Sequence, residues 1–150
     1  RNVVLRESDD ELSRLEEYRG RVSLITSTIV FQHIPPDRGT RIFTRLVDLL
    51  APGGWACVHL TFASHISNLP SEIGPTTGIG FAYYQRIGPA GLVRMCEIDM
   101  QEPVMQMNHY SLNEISCLLI ARGISSFLCR PTDHDGTIGG EMYFRRPLAG

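Results

Sequence analysis

The stretch from Val22 to Phe62 constrains the fold more than any other part of the chain. It begins with Val22–Ser27, a run of apolar and β-branched residues with the length of a strand. After two prolines comes Asp37–Leu50, whose apolar residues recur at helical spacing. The sequence Ala51–Gly54 then predicts a sharp turn into a second apolar strand, Trp55–Phe62. Strand, helix and strand in this order predict a βαβ unit in a buried parallel sheet, and therefore an α/β fold.

The C-terminal part predicts a helix followed by a reversed hairpin. The segment Ser111–Glu114 is a capping box, in which the serine hydroxyl accepts the glutamate amide and the glutamate carboxylate reaches back. Gly123 is expected to end this helix as a left-handed cap. Strands are predicted over Ile124–Arg130 and Gly140–Arg146, with a turn at Pro131–Gly136 between them.

Residues 63–110 are expected to form an insert or lid within a single domain that spans residues 1–150. A short helix is predicted near Phe81–Arg86, and Leu92–Met107 alternates in a way that suits a hairpin or flap. The methionines of this part suit either an adaptable lid over a substrate or gap filling in a small core. Near the N-terminus, Asn2–Leu5 predicts a short strand.

Composition narrows the classes of function. The net charge is −2, and the basic residues are scattered, so neither a nucleic-acid stripe nor an anionic membrane partner is expected. No signal peptide or membrane span is visible in the sequence. The four cysteines lie far apart, which suits reduced thiols in the cytoplasm. Cys57 and His59 would share one face of a strand, but with no further ligand nearby no metal site is expected.

Two motifs at a suitable separation resemble those of a known family. Ser27–Pro35, followed by a helix and then Leu50–Gly54, resembles the pattern S-x-x-V-L-x-H-I-P … L-x-P-G-G of class I S-adenosylmethionine-dependent methyltransferases. The resemblance implies a partial Rossmann-like methyltransferase sheet, mostly parallel, with a reversed C-terminal hairpin. It also implies methyl transfer from S-adenosylmethionine to an acceptor, most simply a small molecule.

The resemblance implies a cofactor site at the carboxyl end of the first strand of this unit, where open α/β sheets bind ligands. The residues implied to line it are Ser27, Thr28 and Ile29, with His33 in the loop that follows. Ser8 and Asp9 stand where the family places a polar contact to the adenine amino group. Either residue also suits the N-cap of a helix over Asp10–Tyr18, so both interpretations stay open.

The predicted site for the methyl acceptor consists of one histidine and several residues of the insert. Methyl transfer from a sulfonium depends on in-line positioning, and a hydroxyl or amine acceptor also needs a base. His134 lies between Asp133 and Asp135, which would orient its ring and stabilise its protonated form, so it is the predicted base. An exposed turn histidine with solvated neighbours is the alternative. The acceptor pocket is expected to draw on Tyr83, Tyr84, Met105, Met107 and Asn108.

The family's glycine-rich turn after its first strand, and the acidic residue that ends its second, have no counterpart before Asn2. We therefore expect an N-terminally truncated domain that binds S-adenosylmethionine weakly by itself. Val22–Ser27 would then be an uncovered sheet edge, which predicts a homodimer through that edge. A methyltransferase-like domain that acts in assembly or regulation, without catalysis, is the alternative function.

Overall fold

The computed structural model describes residues 3, 5–7, 9, 12–64, 82–87, 92–97, 108–134 and 137–148, with the backbone alone described at 64, 82–87 and 92–97. Its elements in chain order are β1 (Val22–Ser27), α1 (Pro36–Leu49), β2 (Leu50–Ser64), β3 (Ala82–Ile87), β4 (Leu92–Glu97), α2 (Leu112–Ile120), β5 (Phe127–His134) and β6 (Thr137–Arg145). Two 3₁₀ helices, Ser13–Tyr18 and Phe31–His33, precede β1 and α1.

The main sheet has the strand order β1-β2-β6-β5. β1 and β2 are parallel, and β6 is antiparallel to both of its neighbours, so β1, β2 and β5 run in one direction and β6 runs against them. This order confirms the predicted α/β class with its parallel βαβ unit and reversed C-terminal hairpin. The strands β3 and β4 form a separate antiparallel hairpin.

The core lies between one face of the main sheet and the two α-helices. α1 contributes Phe43 and Val47, and α2 contributes Ile115 and Leu119. Because strand side chains alternate, every second residue of β2 and β6 joins this core. These strand residues are Ala56, Val58, Leu60, Met142 and Phe144. The opposite face of the sheet carries Leu24 and Trp55, which are 62% and 51% exposed.

The Ser111 cap and the Gly123 cap of α2 agree with the prediction, whereas the described residues show no return bond from the Glu114 carboxylate to Ser111. The Ser111 hydroxyl accepts the Glu114 amide at 3.3 Å. Gly123 has a φ of 76°, and its amide bonds to the Ile120 carbonyl while the Ile124 amide bonds to the Leu119 carbonyl. This pair of bonds is a Schellman motif. The two apolar residues that usually accompany the motif are Leu119 and Ile124, and both belong to the core.

Two predicted turns are instead parts of strands. β2 already begins at Leu50, and Ala51–Gly54 is an irregularity in its register with β1. Backbone bonds of 2.9 Å between Arg146 and both Gly53 and Gly54 hold this segment in place. β5 continues through Pro131 to His134, since proline is tolerated on an edge strand, where its missing N–H has no ladder partner to lose.

Two further local predictions were wrong. The helix expected near Phe81–Arg86 is the strand β3, which the pairing with β4 stabilises. The predicted strand over Asn2–Leu5 is not seen at its described residues, since Val3 and Leu5 lie outside any strand and are 78% and 92% exposed. The helix expected over Asp10–Tyr18 is present as a 3₁₀ helix from Ser13 onward.

Candidate functional site

The loop that follows β1 lies at the carboxyl edge of the parallel pair. Ser27 ends the strand half-buried, and Thr28 and Ile29 are exposed. Ile29 has a φ of 58°, in the left-handed region. A β-branched residue in that region is strained, at a cost on the order of 1–3 kcal/mol, so its surroundings must fix the backbone there.

The Tyr110 hydroxyl holds the loop after β1 through two backbone carbonyl oxygens. Its ring is buried, and its hydroxyl lies 3.0 Å from the Phe31 carbonyl oxygen and 2.8 Å from that of Ile34. Burial, with a smaller contribution from the charge of Asp37, raises the pKa of Tyr110 to about 12. The hydroxyl is therefore a permanent donor near neutral pH, and it clamps both ends of the 3₁₀ helix.

Asn108 holds the same loop through the Gln32 carbonyl oxygen. Its backbone N–H and its Nδ2 both donate to the Gln32 carbonyl oxygen, at 2.7 and 3.1 Å. The Thr61 hydroxyl donates to the Asn108 carbonyl, and the Tyr110 amide donates to the Thr61 carbonyl at 2.7 Å. The structure thus brings Asn108, predicted on the acceptor side, against the loop predicted on the cofactor side.

His134 contacts a second histidine. The rings of His134 and His59 meet edge to face, with centroids 5.3 Å apart, and His59 Nε2 lies 2.9 Å from the Thr132 hydroxyl. His59 is 2% exposed, and its Nδ1 has no hydrogen-bond partner among the described residues. Burial, and then the nearby His134, lower the pKa of His59, while Glu141 opposes them.

His134 lies on β5, at the opposite edge of the sheet from the loop after β1, whereas His59 lies on β2, one residue after Val58, which pairs with Ser27. His134 pairs with Thr137 on β6, which pairs with Ser64 on β2. Three strand spacings separate β5 from β1, or about 14 Å across the sheet. The structure therefore does not bring His134 next to Ser27–Ile29. The contact between His59 and His134 could not be predicted from the sequence, because nothing local links residues so far apart in the chain.

The remaining predicted residues are placed as follows. Asp9 accepts hydrogen bonds from the Ser13 amide, at 2.8 Å, and from the Ser13 hydroxyl, and these bonds lower the pKa of Asp9. These bonds hold the start of the first 3₁₀ helix, but its N-cap is Leu12, which makes no side-chain cap bond, so neither Asp9 nor Ser8 is the N-cap. His33 is exposed, with its Nε2 3.2 Å from Gln32 Nε2. Ser8, Met105 and Met107 lie outside the described residues, as do the side chains of Tyr83 and Tyr84.

An open cleft of about 510 Å³ lies at the other end of the sheet. Its lining includes Trp55, Ile124, Leu128, Tyr143 and Arg145. The Arg145 guanidinium lies 5.7 Å from the centre of the Trp55 ring, and Ser125 and Ser126 add hydroxyls to the lining, so the cleft is mixed polar and apolar. In the described ranges no group of three or more histidine, cysteine or acidic side chains is placed to hold a metal ion.

S-adenosylmethionine carries an adenine, a ribose and a charged amino-acid part. The loop after β1 has an exposed hydroxyl at Thr28 and an exposed apolar side chain at Ile29. A hydroxyl suits the polar edge of such a cofactor, and an aliphatic side chain suits the face of its adenine.

At the level of sequence the chain matches no protein-family model and no curated protein. Three methyltransferases are among the solved structures with a similar fold. The 1,6-didemethyltoxoflavin-N1-methyltransferase of Burkholderia thailandensis, solved with 1,6-didemethyltoxoflavin and S-adenosylhomocysteine, is 15% identical, with a TM-score of 0.46 over 86% of this chain and 45% of that one. A SAM-dependent methyltransferase of Methanosarcina mazei is 14% identical, with a TM-score of 0.48 over 88% of this chain and 62% of that one.

The S-adenosylmethionine-dependent methyltransferase SibL is 12% identical, with a TM-score of 0.46 over 87% of this chain and 32% of its own. The chain spans about a third to two thirds of the length of these three proteins. None of the helices in the described part of the chain has the length and apolar character needed to cross a bilayer.

Proposed function

We propose that this chain takes part in S-adenosylmethionine-dependent methyl transfer to a small molecule with a hydroxyl or amine acceptor, as part of a longer enzyme. The observation that carries the proposal is the loop after β1. It lies at the carboxyl edge of a parallel pair, contains the left-handed Ile29 and is clamped by Tyr110 and Asn108. A strained, firmly held loop at this edge suits a binding site.

In this proposal S-adenosylmethionine supplies a methyl group that its sulfonium already activates. Ser27, Thr28 and Ile29 contact the cofactor at the strand end, and Asn108 holds the loop in place through Gln32. The predicted base, His134, lies on the opposite edge strand, so in this proposal it takes the acceptor's proton only where the acceptor extends across the sheet toward β5. The free thiols of Cys57, Cys117 and Cys129 suit the cytoplasm, where we place the protein.

The test is a nuclear magnetic resonance titration of the labelled chain with S-adenosylhomocysteine up to millimolar concentration, which detects weak binding and locates it. We expect amide shifts confined to residues 27–34 and their neighbours, with a dissociation constant above the low-micromolar range. Thr28→Ala should weaken the binding severalfold. Ser126→Ala, at an exposed hydroxyl near the other end of the sheet, should not. The absence of shifts at 27–34 would refute the cofactor site.

A methyltransferase-like domain without catalysis is the second candidate, and two observations favour it. His134 is about three strands away from the loop after β1, roughly 14 Å by strand spacing. Asp9, predicted near the adenine, already accepts two hydrogen bonds from Ser13. Binding at 27–34 together with no S-adenosylhomocysteine formation from a panel of amines and phenols would favour this second candidate over the enzyme.

A further inference from the structure

The carboxyl end of β2 extends past its parallel partner β1. Val58 is the last residue of β2 that pairs with β1, whereas β2 continues to Ser64. Beyond Val58, β2 bonds to the segment 108–110, because the Tyr110 amide donates to the Thr61 carbonyl oxygen at 2.7 Å. The pairing of β2 with β6 shifts register directly after Thr61, so the strand is irregular where this segment meets it.

Thr61 is a polar residue in a fully buried position. Its exposed fraction is 0%, and its hydroxyl donates to the Asn108 carbonyl oxygen. Burying a hydroxyl costs free energy unless it makes a hydrogen bond, and valine has nearly the same shape and suits a strand as well. The hydroxyl therefore contributes its bond to Asn108 rather than packing of the strand.

The segment 108–110 holds the loop after β1 through three backbone carbonyls. Asn108 donates through its backbone and its side chain, and Tyr110 reaches the loop through its hydroxyl. The three carbonyls belong to Phe31, Gln32 and Ile34. Because they lie only a few residues after Ile29, these bonds restrict the backbone on the C-terminal side of that left-handed residue.

We propose that Thr61 is a positioning residue of the cofactor site, and that it acts through the segment 108–110. The inference rests on the proposed function, which gives the loop after β1 the role of binding S-adenosylmethionine. Being fully buried, Thr61 does not touch the cofactor. A strained residue such as Ile29 keeps its conformation only while its surroundings hold it. The affinity of the loop for the cofactor therefore depends on a hydroxyl in the neighbouring strand.

The test compares three threonine variants of the full chain. Thr61→Val removes the hydroxyl and nearly keeps the shape of the side chain, whereas Thr61→Ser keeps the hydroxyl. Thr132→Val is the matched control, because it removes a hydroxyl that lies 2.9 Å from a ring nitrogen of the buried His59, on the opposite edge strand. Each variant is titrated with S-adenosylhomocysteine by nuclear magnetic resonance. The conformation of Ile29 is read from the nuclear Overhauser effect between its amide and Hα protons, which is strong where φ is positive.

We expect Thr61→Val to weaken binding severalfold and to lose the left-handed signal of Ile29, with unchanged circular dichroism. Thr61→Ser and Thr132→Val should bind as the wild type does and keep that signal. If the wild type binds and Thr61→Val binds equally well, the positioning role is overturned and the cofactor site stands. If the wild type does not bind, the cofactor site is refuted, and the Ile29 signal alone decides whether Thr61 positions the loop.

Asn108→Ala keeps the proposal testable should Thr61→Val fail to fold. It removes the side-chain bond to Gln32 and leaves Thr61 in place, so it should also weaken binding and alter the Ile29 signal. Where both variants fold, the double variant should weaken binding by less than the product of the two single effects, because both changes act on one chain of contacts. Effects that multiply fully, or an Asn108→Ala variant that binds as the wild type does, would overturn the proposal.

Discussion

At the scale of single residues, the contact between Gly39 and Tyr110 decides how the candidate site is held. Gly39 lies in the first turns of α1, and a Cβ at this position would lie 1.9 Å from Tyr110 Oη and 2.7 Å from its Cζ. The missing side chain thus leaves the space that the tyrosine needs to reach the Phe31 and Ile34 carbonyls. The sequence alone could not predict this contact, because a glycine in a helix suggests only lower helix propensity.

We predict that Gly39→Ala destabilises the fold. Alanine favours a helix over glycine by about 1 kcal/mol, so propensity alone would make the change stabilising. Overpacking against a buried ring costs about 1–3 kcal/mol, and the ring has little room to move. Urea denaturation should therefore show a net loss of stability.

The control is the same Gly39→Ala change in a variant whose residue 110 is smaller than tyrosine. In a Tyr110→Leu background the clash is removed, and Gly39→Ala should become neutral or stabilising. A double-mutant cycle measures this coupling. An equal effect of Gly39→Ala in both backgrounds would show that Tyr110 is not the cause.

The burial of His59 leads us to predict that the folded protein loses stability in mild acid. Burial and the neighbouring His134 lower the pKa of His59 below its usual 6.5, so the unfolded chain takes up this proton more readily than the folded one. Its contribution to stability is complete above pH 6.5. It is lost as the pH falls from there toward the lowered pKa, at no more than about 1.4 kcal/mol per pH unit.

The measurement is the free energy of unfolding in urea between pH 7.5 and 5 for matched histidine variants. His59→Gln keeps a polar side chain near Thr132 and should flatten the acid-dependent loss. His33→Gln replaces an exposed imidazole in the same way and serves as the reference for the slope of the His59 variant. A His59→Gln variant with an unchanged slope would contradict the role given to burial.

At the scale of elements, α2 was the most predictable part of the chain, since its signals are local. The capping serine, the glycine after the helix and the apolar residues beside them all lie within a few positions of each other, and the structure contains each of them. β3 and the end of β5 were mispredicted for the opposite reason. β3 depends on pairing with β4, and Pro131 is acceptable only because β5 lies at the edge of the sheet.

We predict that Ser111→Ala lowers the free energy of unfolding by about 1 kcal/mol, because the Glu114 amide loses its cap. Ser116→Ala is the matched control in the same helix. The Ser116 hydroxyl donates to the Leu112 carbonyl one turn earlier, a bond that adds little to a helix, so its removal should be neutral or slightly stabilising. Equal denaturation midpoints for the two variants would show that the cap contributes nothing.

At the scale of the whole molecule, the motifs predicted the strand–helix–strand unit and its closing hairpin, but not the connections between distant segments. Asn108 meets Gln32, and His59 meets His134, across 76 and 75 positions of the chain. Neither pair has a periodic or spacing signal, because each contact exists only once the sheet order is set. This is why the sequence located the loop after β1 but not the residues that hold it.

Arg146 ties the α1–β2 junction to the end of β6. Its guanidinium donates to the Asp48 carbonyl at 3.1 Å and to the Leu50 carbonyl at 2.6 Å, where α1 ends and β2 begins. Its backbone also exchanges two hydrogen bonds with Gly53 and Gly54. Arg145, the preceding residue, is exposed; its guanidinium lies over Trp55, and its Nε donates to the Gly53 carbonyl at 3.1 Å.

The last prediction compares these two neighbouring arginines. Arg146→Gln should lower the free energy of unfolding by about 1.5–3 kcal/mol, because two half-buried carbonyls lose a charged donor while the backbone bonds remain. Arg145→Gln removes the same charge one position earlier and loses an exposed hydrogen bond to the Gly53 carbonyl and the contact with Trp55, so it should change stability by less than about 1 kcal/mol. Both variants are measured by urea denaturation at low and high salt. Equal losses of stability in the two variants, or a loss in Arg146→Gln that vanishes in high salt, would show that the positive charge itself causes the effect, and not the hydrogen bonds at the α1–β2 junction.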